Sequence, residues 1–514
     1  MTECTIFHGA TIITVNPQRE TIQNGYIRVD ARRITAIGKG RYPAEASLPP
    51  GTREIDCRGK IIIPGLINTH AHLVQSILRG LAEDLPLHNW LCDAVWPLEA
   101  SFEDYDGYHA ARLTVAEMLK TGTTCFLDPM ITYRAGFDNV CEAVGGMGIR
   151  ACLGKLVKFA ETNRQLSISD PRDADLLAMS TPELLRAHGQ HHGSYDGRIH
   201  VWAAAGTPRG VPISHYRDLG QTCAAGGISI TMHCAEAPRD RTIYHETYGC
   251  SAMEFVRDAG LCAQVQVQGQ DDGKTGAVSE GEGSRPPSHN LVLAHMVNLD
   301  PDVDIPLLAS TGTSVAHNPT SNLKLASGVA PVPAMLSHTP DAVNVSLGTD
   351  GAPCSNHYDM IREMHLAGIL HKGVNGDARL IPAELALEMA TINGARALGL
   401  ADDVGSLEVG KMADVVVIDP GIGAAPWVPT SDDEADGTTG GTGNGNGSER
   451  VTIRGVSAAT TVVHGCTGRD VDMTMVNGVM VVEGGRLLKV EESEVVSRAR
   501  EAARGVIDRC SPQA

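Results

Sequence analysis

The chain has 514 residues, 42% of them hydrophobic and only 4% aromatic, with 56 Gly and 27 Pro. That is ample material for a core, and a ring-poor core suits many short buried parallel strands joined by tight loops. The formal charge of −19 repels phosphate backbones and excludes a general nucleic-acid binder, and no run approaches 18 uninterrupted apolar residues, so no membrane span is expected.

The first residues, MTECTIFHGATIITV, carry neither a basic stretch nor a long apolar one, so no signal peptide is expected. The 13 cysteines are scattered and never spaced C-x-x-C. They read as reduced, mostly buried thiols, which places the protein in the cytoplasm. TIFHGATIITV, GYIRVDARRITAIG and IDCRGKIIIPGLINTHAH show period-two patches punctuated by Gly and Asn, the pattern of a small antiparallel unit. The same grain returns in GSLEVGKMADVVVIDP, TVVHGC and DMTMVNGVMVVEGGRLL. Residues 1–63 and 402–490 are therefore expected to form one composite β-sandwich domain built by both termini, followed by a C-terminal helix or tail over 491–514.

Residues 64–401 have a different texture. Apolar runs fall at 61–69, 123–128, 150–157, 199–205, 227–233, 290–297, 313–316 and 343–348, with helical patterns between most of them. One such pattern, 101–121, opens on Ser101 and Asp104 in capping-box spacing. Eight strands alternating with helices predict an α/β fold, a (β/α)8 TIM barrel. Two stretches, 268–289 and 429–450, are Gly-, Ser-, Thr- and acid-rich. They cannot bury enough surface to offset the entropy of ordering, and are expected to be flexible surface insertions.

In such a barrel the C-terminal ends of the strands carry chemistry. The first run ends in Thr69-His70-Ala71-His72, the fifth in Thr231-Met232-His233-Cys234-Ala235-Glu236, the sixth in Ala294-His295-Met296 and the eighth in Gly348-Thr349-Asp350-Gly351. Period two points His70 and His72 to one face, into the barrel mouth. With His233 and Asp350 they make a borderline-soft N3O set suited to Zn²⁺, with Fe²⁺ or Mn²⁺ as alternatives. An ion with one open position would supply hydroxide near neutral pH. Glu236, where its strand turns over the pocket, is then the candidate proton carrier, and His295 on the next strand could polarise the attacked carbon's substituent or hold the departing group, with Asp350 as the third catalytic candidate, assisting its expulsion. A lone H-x-H more often has a bland structural role. It is the joint appearance of His, His and Asp at one end of a barrel that carries the metal reading.

Other candidates carry less. His188, His191 and His192 in AHGQHHG close a helix before a Gly-rich turn and read as a solvated end. Cys234 and Cys354 flank the site, yet with hydroxide available they read as packing or pocket-lining thiols rather than nucleophiles. Lys155 and Lys158 lie near the end of strand three, whereas VWAAAGTP on strand four has no Lys that could be carboxylated to bridge two metals. That favours one metal ion.

PGLINTHAHLVQSILRGLAEDLPLHNWL, TMHCAE, LAHMV, AHNPTSNLKLASGVAPV, LGTDGAPCSNHYDM, ATINGARALGL and GSLEVGKMADVVVID run in this order from about residue 55 to 420. Together they resemble the amidohydrolase superfamily, in its cytosine-deaminase-like branch. That branch holds methylthioadenosine/S-adenosylhomocysteine deaminases, guanine deaminase and triazine chlorohydrolases. The resemblance implies a TIM barrel with a composite β domain and one divalent metal, usually zinc or iron. It matches His70, His72, His233 and Asp350 to the family's ligands, Glu236 to its proton shuttle and His295 to its strand-six histidine. Glu99, in WPLE, matches the acid that grips the ribose in the adenosine-type deaminases. Members are often dimers or larger, so a homo-oligomer is an expectation of the same kind.

The departures concern substrate. Adenosine-type members usually carry G-P-H-[AS]-P after strand four, and here Gly206-Thr207-Pro208-Arg209-Gly210 lacks that His. The arginines that would hold a homocysteine carboxylate have no clear counterpart except Lys155. Cys354 stands where many relatives have a small or polar residue. Glu99, Arg209, Cys354 and Trp90 are the candidate substrate-binding residues, and S-adenosylhomocysteine itself is disfavoured.

These readings predict a metal-dependent hydrolytic deaminase of an amino-substituted nitrogen heteroaromatic ring, a purine, nucleoside or similar small molecule. One alternative is a dehalogenase or cyclic-amide hydrolase using the same site. The other is a non-catalytic scaffold, which the intact ligand set and shuttle acid disfavour.

Overall fold

The computed structural model describes residues 4–43, 48–103, 105–160, 170–262, 289–423 and 457–510. The 429–450 stretch, all of 268–289 except His289, and Asp104 lie outside the described residues.

Five N-terminal strands, β1 (Cys4–Ile13), β2 (Thr21–Asp30), β3 (Arg33–Lys39), β4 (Arg53–Asp56) and β5 (Ile61–Pro64), begin a nine-stranded sheet. The chain then enters an eight-stranded parallel sheet: β6 (Leu66–Asn68), β7 (Thr123–Ile131), β8 (Arg150–Val157), β9 (Ile199–Ala205), β10 (Ile230–Cys234), β11 (Leu291–His295), β12 (Ser314–His317) and β13 (Val345–Leu347). It returns to the first sheet with β14 (Val415–Ile418), β15 (Val471–Val476), β16 (Val479–Glu483) and β17 (Arg486–Leu487), and the helix Glu492–Cys510 follows.

The first run, read as one strand over 61–69, is two. Ile61–Pro64 pairs antiparallel with β14, while Leu66–Asn68 pairs parallel with β7. Gly65 makes the transfer, because a Cβ there would lie 2.0 Å from Thr124 Oγ1. The β5–β14 ladder joins the two ends of the chain, with Ile62 opposite Val417. Phe7, Ile12, Ile27 and Ile55 from one end then share a core with Val415, Val417, Met473 and Met475 from the other. Between β15 and β16 the two-residue turn Asn477-Gly478, with φ of +53° and +77°, is the type whose twist suits a hairpin.

The parallel sheet follows chain order and closes on itself as a TIM barrel. Thr69 N donates to Leu347 O at 3.0 Å, and Thr69 Oγ1 meets Ser346 Oγ at 2.8 Å. On β7 alternation divides the strand between two packing clusters, with Phe126 in one and Cys125 and Leu127 in the other. Buried Arg150 on β8 meets Asp414 through two contacts of 3.2 Å, and Asp414 also accepts from Asn477 N, tying barrel to sheet.

The helix expected over 101–121 spans Asp106–Lys120. Ser101 does not cap it, because its Oγ donates back to Pro97 O in the preceding turn. No described helix is long and apolar enough to cross a membrane.

Candidate metal centre and substrate cleft

Five side chains meet where the strands end. His70 and His72 follow β6, His233 lies near the end of β10, His295 closes β11, and Asp350 follows β13. His70, His233, His295 and Asp350 each bring one ligand atom within 4.8 Å of the others. His72 belongs to the same cluster, with Nε2 3.2 Å from Asp350 Oδ1 and 3.2 Å from His233 Nε2. The geometry therefore gathers the four expected ligands together with His295.

The backbone at this end is strained. His295 and Asp350 have φ of +76° and +64°, a region that non-glycine residues occupy at a cost of roughly 1–3 kcal/mol and keep only where the surroundings over-determine it. Those surroundings are visible. Asn68 Oδ1 accepts from Thr349 N and His70 N, and Asp350 N donates to His70 O. The Asp350 carboxylate accepts from Ser321 Oγ at 2.6 Å and from Gly351 N at 2.9 Å. Tyr358 donates its hydroxyl to His72 O at 2.7 Å.

Burial and charge set the ionisation. Burial pushes His70 down to about 4 and His233 well below the usual imidazole value. Burial would raise Asp350, yet the imidazoles of His70 and His72 beside it hold it well below the usual carboxylate range. Burial lifts Glu236 to about 7 and Asp128, whose oxygens accept from Leu73 N and Met130 N, to about 6. The Glu236 carboxylate lies 3.7 Å from His295 Nε2.

The residues present fit a divalent metal ion. Imidazoles and a carboxylate are the donors that zinc, iron and manganese share. Both buried ring nitrogens of His70 make no hydrogen bond, and an unpaired buried nitrogen is costly unless something else binds it.

A cleft opens over the cluster, its empty volume about 610 Å³ including the part open to solvent. One wall comes from the segment 87–96, where Trp90–Val95 forms a π-helical turn. Residues five apart share a face in such a turn, so Trp90 with Val95 and Leu91 with Trp96 all line the cleft. The other walls include Met130, Leu156, Lys158, Thr207, Arg209 and Gln75, with Glu236 and Asp350 at the base.

The four expected substrate residues divide. Trp90 and Arg209 line the cleft, and the Trp90 indole Nε1 is enclosed without a hydrogen bond. Glu99 and Cys354 are not among the lining residues. Both Glu99 oxygens are engaged, one by Gln75 Nε2 at 2.9 Å and the other by Arg172 Nη1 at 2.7 Å. Cys354 is fully buried and donates to Gly351 O at 3.1 Å. Lys155 also points elsewhere, with Nζ on Ala178 O, whereas Lys158 reaches the cleft while paired with Asp170 and Asp173.

Sequence reasoning missed Gln75, Trp96 and Arg172. Two guanidinium groups lie over the Trp96 ring, with Arg172 Cζ 4.8 Å and Arg209 Cζ 5.7 Å from its centroid. The signal was present only as WPLE, in which Trp96 is three residues before Glu99.

Residues 61–481 match the profile described as the amidohydrolase family. The chain is 32% identical over 502 residues to the 5-methylthioadenosine/S-adenosylhomocysteine deaminase of Desulforudis audaxviator, covering 95% of this chain and 99% of that one. It is 30% identical over 511 residues to the 5′-deoxyadenosine deaminase of Methanosarcina acetivorans, covering 98% and 99%. Among solved structures, an adenosine deaminase from Xanthomonas campestris with bound zinc superposes with a TM-score of 0.77 at 25% identity, covering 98% of both chains.

Proposed function

The chain belongs to the amidohydrolase family, and from that premise we propose that it is a metal-dependent hydrolytic deaminase of adenosine-type nucleosides. One observation carries the reading. A buried carboxyl group, Glu236, is lifted to about 7 beside a His/Asp cluster at the base of a partly aromatic cleft.

His70, His72, His233 and Asp350 would hold the metal, with zinc the first choice and iron or manganese the alternatives. When bound, such an ion lowers the pKa of water and supplies hydroxide near neutral pH. Glu236 works at the pH where it exchanges a proton readily, and passes that proton to the ring nitrogen next to the amino-bearing carbon. Glu236 then carries the second proton of the attacking water to the amino group, which leaves as ammonia, with His295 Nε2, 3.7 Å from Glu236 Oε2, beside it. Asp350, held low by its imidazole neighbours, stays a carboxylate throughout.

In the cleft, Trp90 and Trp96 supply flat apolar surface for a purine, and Arg209 supplies donors. Glu99 acts through Gln75 and Arg172, and Cys354 packs behind Asp350. The homocysteine-bearing nucleoside is expected to be the slowest of the series. The reading includes a cytoplasmic, self-associating protein with a small-molecule substrate and no nucleic-acid partner.

The test is release of ammonia from adenosine, 5′-deoxyadenosine, 5′-methylthioadenosine and S-adenosylhomocysteine, with chloride from a halotriazine and carboxylate from a cyclic amide scored in parallel. Ammonia from a nucleoside at kcat/KM of about 10⁴ M⁻¹s⁻¹ or more supports the reading. Chloride or carboxylate alone replaces it with another hydrolase chemistry, and protein that takes up no metal on supplementation is a scaffold.

A further inference from the structure

The turn that carries Glu236 is held on both sides. Glu236 N and Ala237 N both donate to Asp240 Oδ2 at 3.0 Å. On the other side Asn298 Nδ2 donates to Glu236 O at 2.8 Å and to Ser327 O at 3.1 Å, and Ala235 O accepts from Val297 N and Asn298 N. Ala235 has a φ of +48°, so the turn is a strained one kept by its neighbours. The Glu236 carboxylate, by contrast, meets His295 Nε2 at 3.7 Å, longer than a hydrogen bond. A side chain that carries a proton between two atoms is left to move while its main chain is fixed.

Asp240 is the third residue of the short helix Pro238–Ile243, and its bond to Ala237 N is of capping-box type. Two features go beyond a cap. The same oxygen also takes the N–H of Glu236, which lies outside the helix. The second oxygen, Oδ1, is enclosed and makes no hydrogen bond, and 4.0 Å from it His88 Nε2 is enclosed and without one too. A buried carboxylate oxygen left unmatched costs free energy, and a shift of about 1 Å would join the two groups. His88 stands two residues before Trp90 in the cleft wall.

We propose that Asp240 is a positioning residue that joins the proton carrier to the cleft wall. One oxygen holds Glu236 by its main chain, and the other takes the N–H of His88 when the wall settles on a bound ring. The proposal rests on the reading of Glu236 as the proton carrier. A single carboxylate then sets both the height of Glu236 over the metal cluster and the closeness of the Trp90 wall to the substrate.

The experiment pairs kinetics with amide hydrogen exchange, both on metal-loaded enzyme. Asp240→Ala releases the turn. Exchange should quicken at Glu236 and Ala237 and kcat should fall by about 100-fold, with metal content as in the wild type. Asp240→Asn keeps an oxygen for both N–H groups, so exchange and kcat should stay near wild type. Its NH2 would then face His88, and KM should rise by about 3–10-fold. His88→Leu should raise KM by the same factor with kcat kept, and the double variant by no more than either. A helix cap and nothing else would lower the melting temperature of Asp240→Ala and leave the kcat of the folded protein intact, which overturns the proposal, as does kcat that Asn fails to restore. KM unchanged in His88→Leu, or multiplied in the double variant, overturns it too. Should Asp240→Ala fail to fold, Asp240→Asn and His88→Leu still decide. Should no nucleoside be deaminated, the proposed function fails, while Asp240 is judged on exchange at Glu236 and Ala237.

Discussion

The base and the rim of the cleft are built in different ways. At the base, His70, His72, His233, His295 and Asp350 sit at strand ends, fastened by main-chain bonds such as Asp350 N to His70 O and by single neutral neighbours such as Asn68, Ser321 and Asn322. The rim comes from connecting segments and is held by charge. Arg172 joins Glu99 to Asp170, Lys158 joins Asp170 to Asp173, and the Trp96 ring carries the guanidinium groups of Arg172 and Arg209. A base fastened to the barrel frame keeps its geometry when the loops change, while a rim of paired charges can be rebuilt without disturbing it. The contrast predicts that damage to the base removes turnover, and damage to the rim removes fit and stability.

The largest expected effect is at the base. Glu236→Gln keeps the shape of the side chain but cannot carry the proton, so kcat should fall by about 10²–10⁴-fold. Metal content should stay at the wild-type value and KM should change little. A variant that loses KM instead would move Glu236 to the rim, and the contrast would collapse.

At the rim, Arg172→Met leaves Glu99 and Asp170 as buried carboxylates short of a cation. Removing one partner of a buried pair costs about 3–5 kcal/mol, and Arg172 and Glu99 side chains are 4% and 1% exposed. Thermal melting should therefore drop sharply, and adding Glu99→Gln should recover part of the loss, because the stranded charge is then gone. KM should rise while metal content holds. Metal loss in Arg172→Met would show that rim and base are one structure.

The same contrast explains what the sequence made legible. Strand-end residues could be placed because apolar runs mark the strands and chemistry gathers at one end of a barrel. The boundary inside the first run could not, since IIIPGLIN is apolar on both sides of Gly65, and only the approach of Thr124 reveals the change of sheet. The rim was hidden for another reason. Arg172 and Glu99 are 73 positions apart, and neither period nor spacing relates them. The wall at 90–96 was obscured by its π turn, since helical period alone would not set Trp90 and Val95 on one face. Cys354 and Glu99 were flagged by position in a motif, yet their partners, Gly351 for one and Gln75 with Arg172 for the other, appear only after folding.

Glu363 belongs to neither region and, with the smallest expected effect on turnover, gives the cleanest test of how the base is braced. It is fully buried on the helix Met360–Asn375, accepts from Thr320 N, and lies 3.3 Å from His357 Nε2. Burial raises it from 4.5 to about 8. The folded protein therefore holds this proton more tightly than the unfolded chain. Its contribution to stability is complete below about pH 4.5 and is lost as pH rises toward 8, by up to about 1.4 kcal/mol per pH unit. Glu363→Gln has no proton to lose and keeps an acceptor for Thr320 N. Its stability relative to wild type should then climb between pH 5 and 8 and level off above, with kcat near wild type at pH 6, where the native side chain is already neutral. Melting curves of the two proteins across that range are the measurement. Curves that stay parallel would mean that Glu363 is ionised in the fold, and that the base, like the rim, leans on a buried charge.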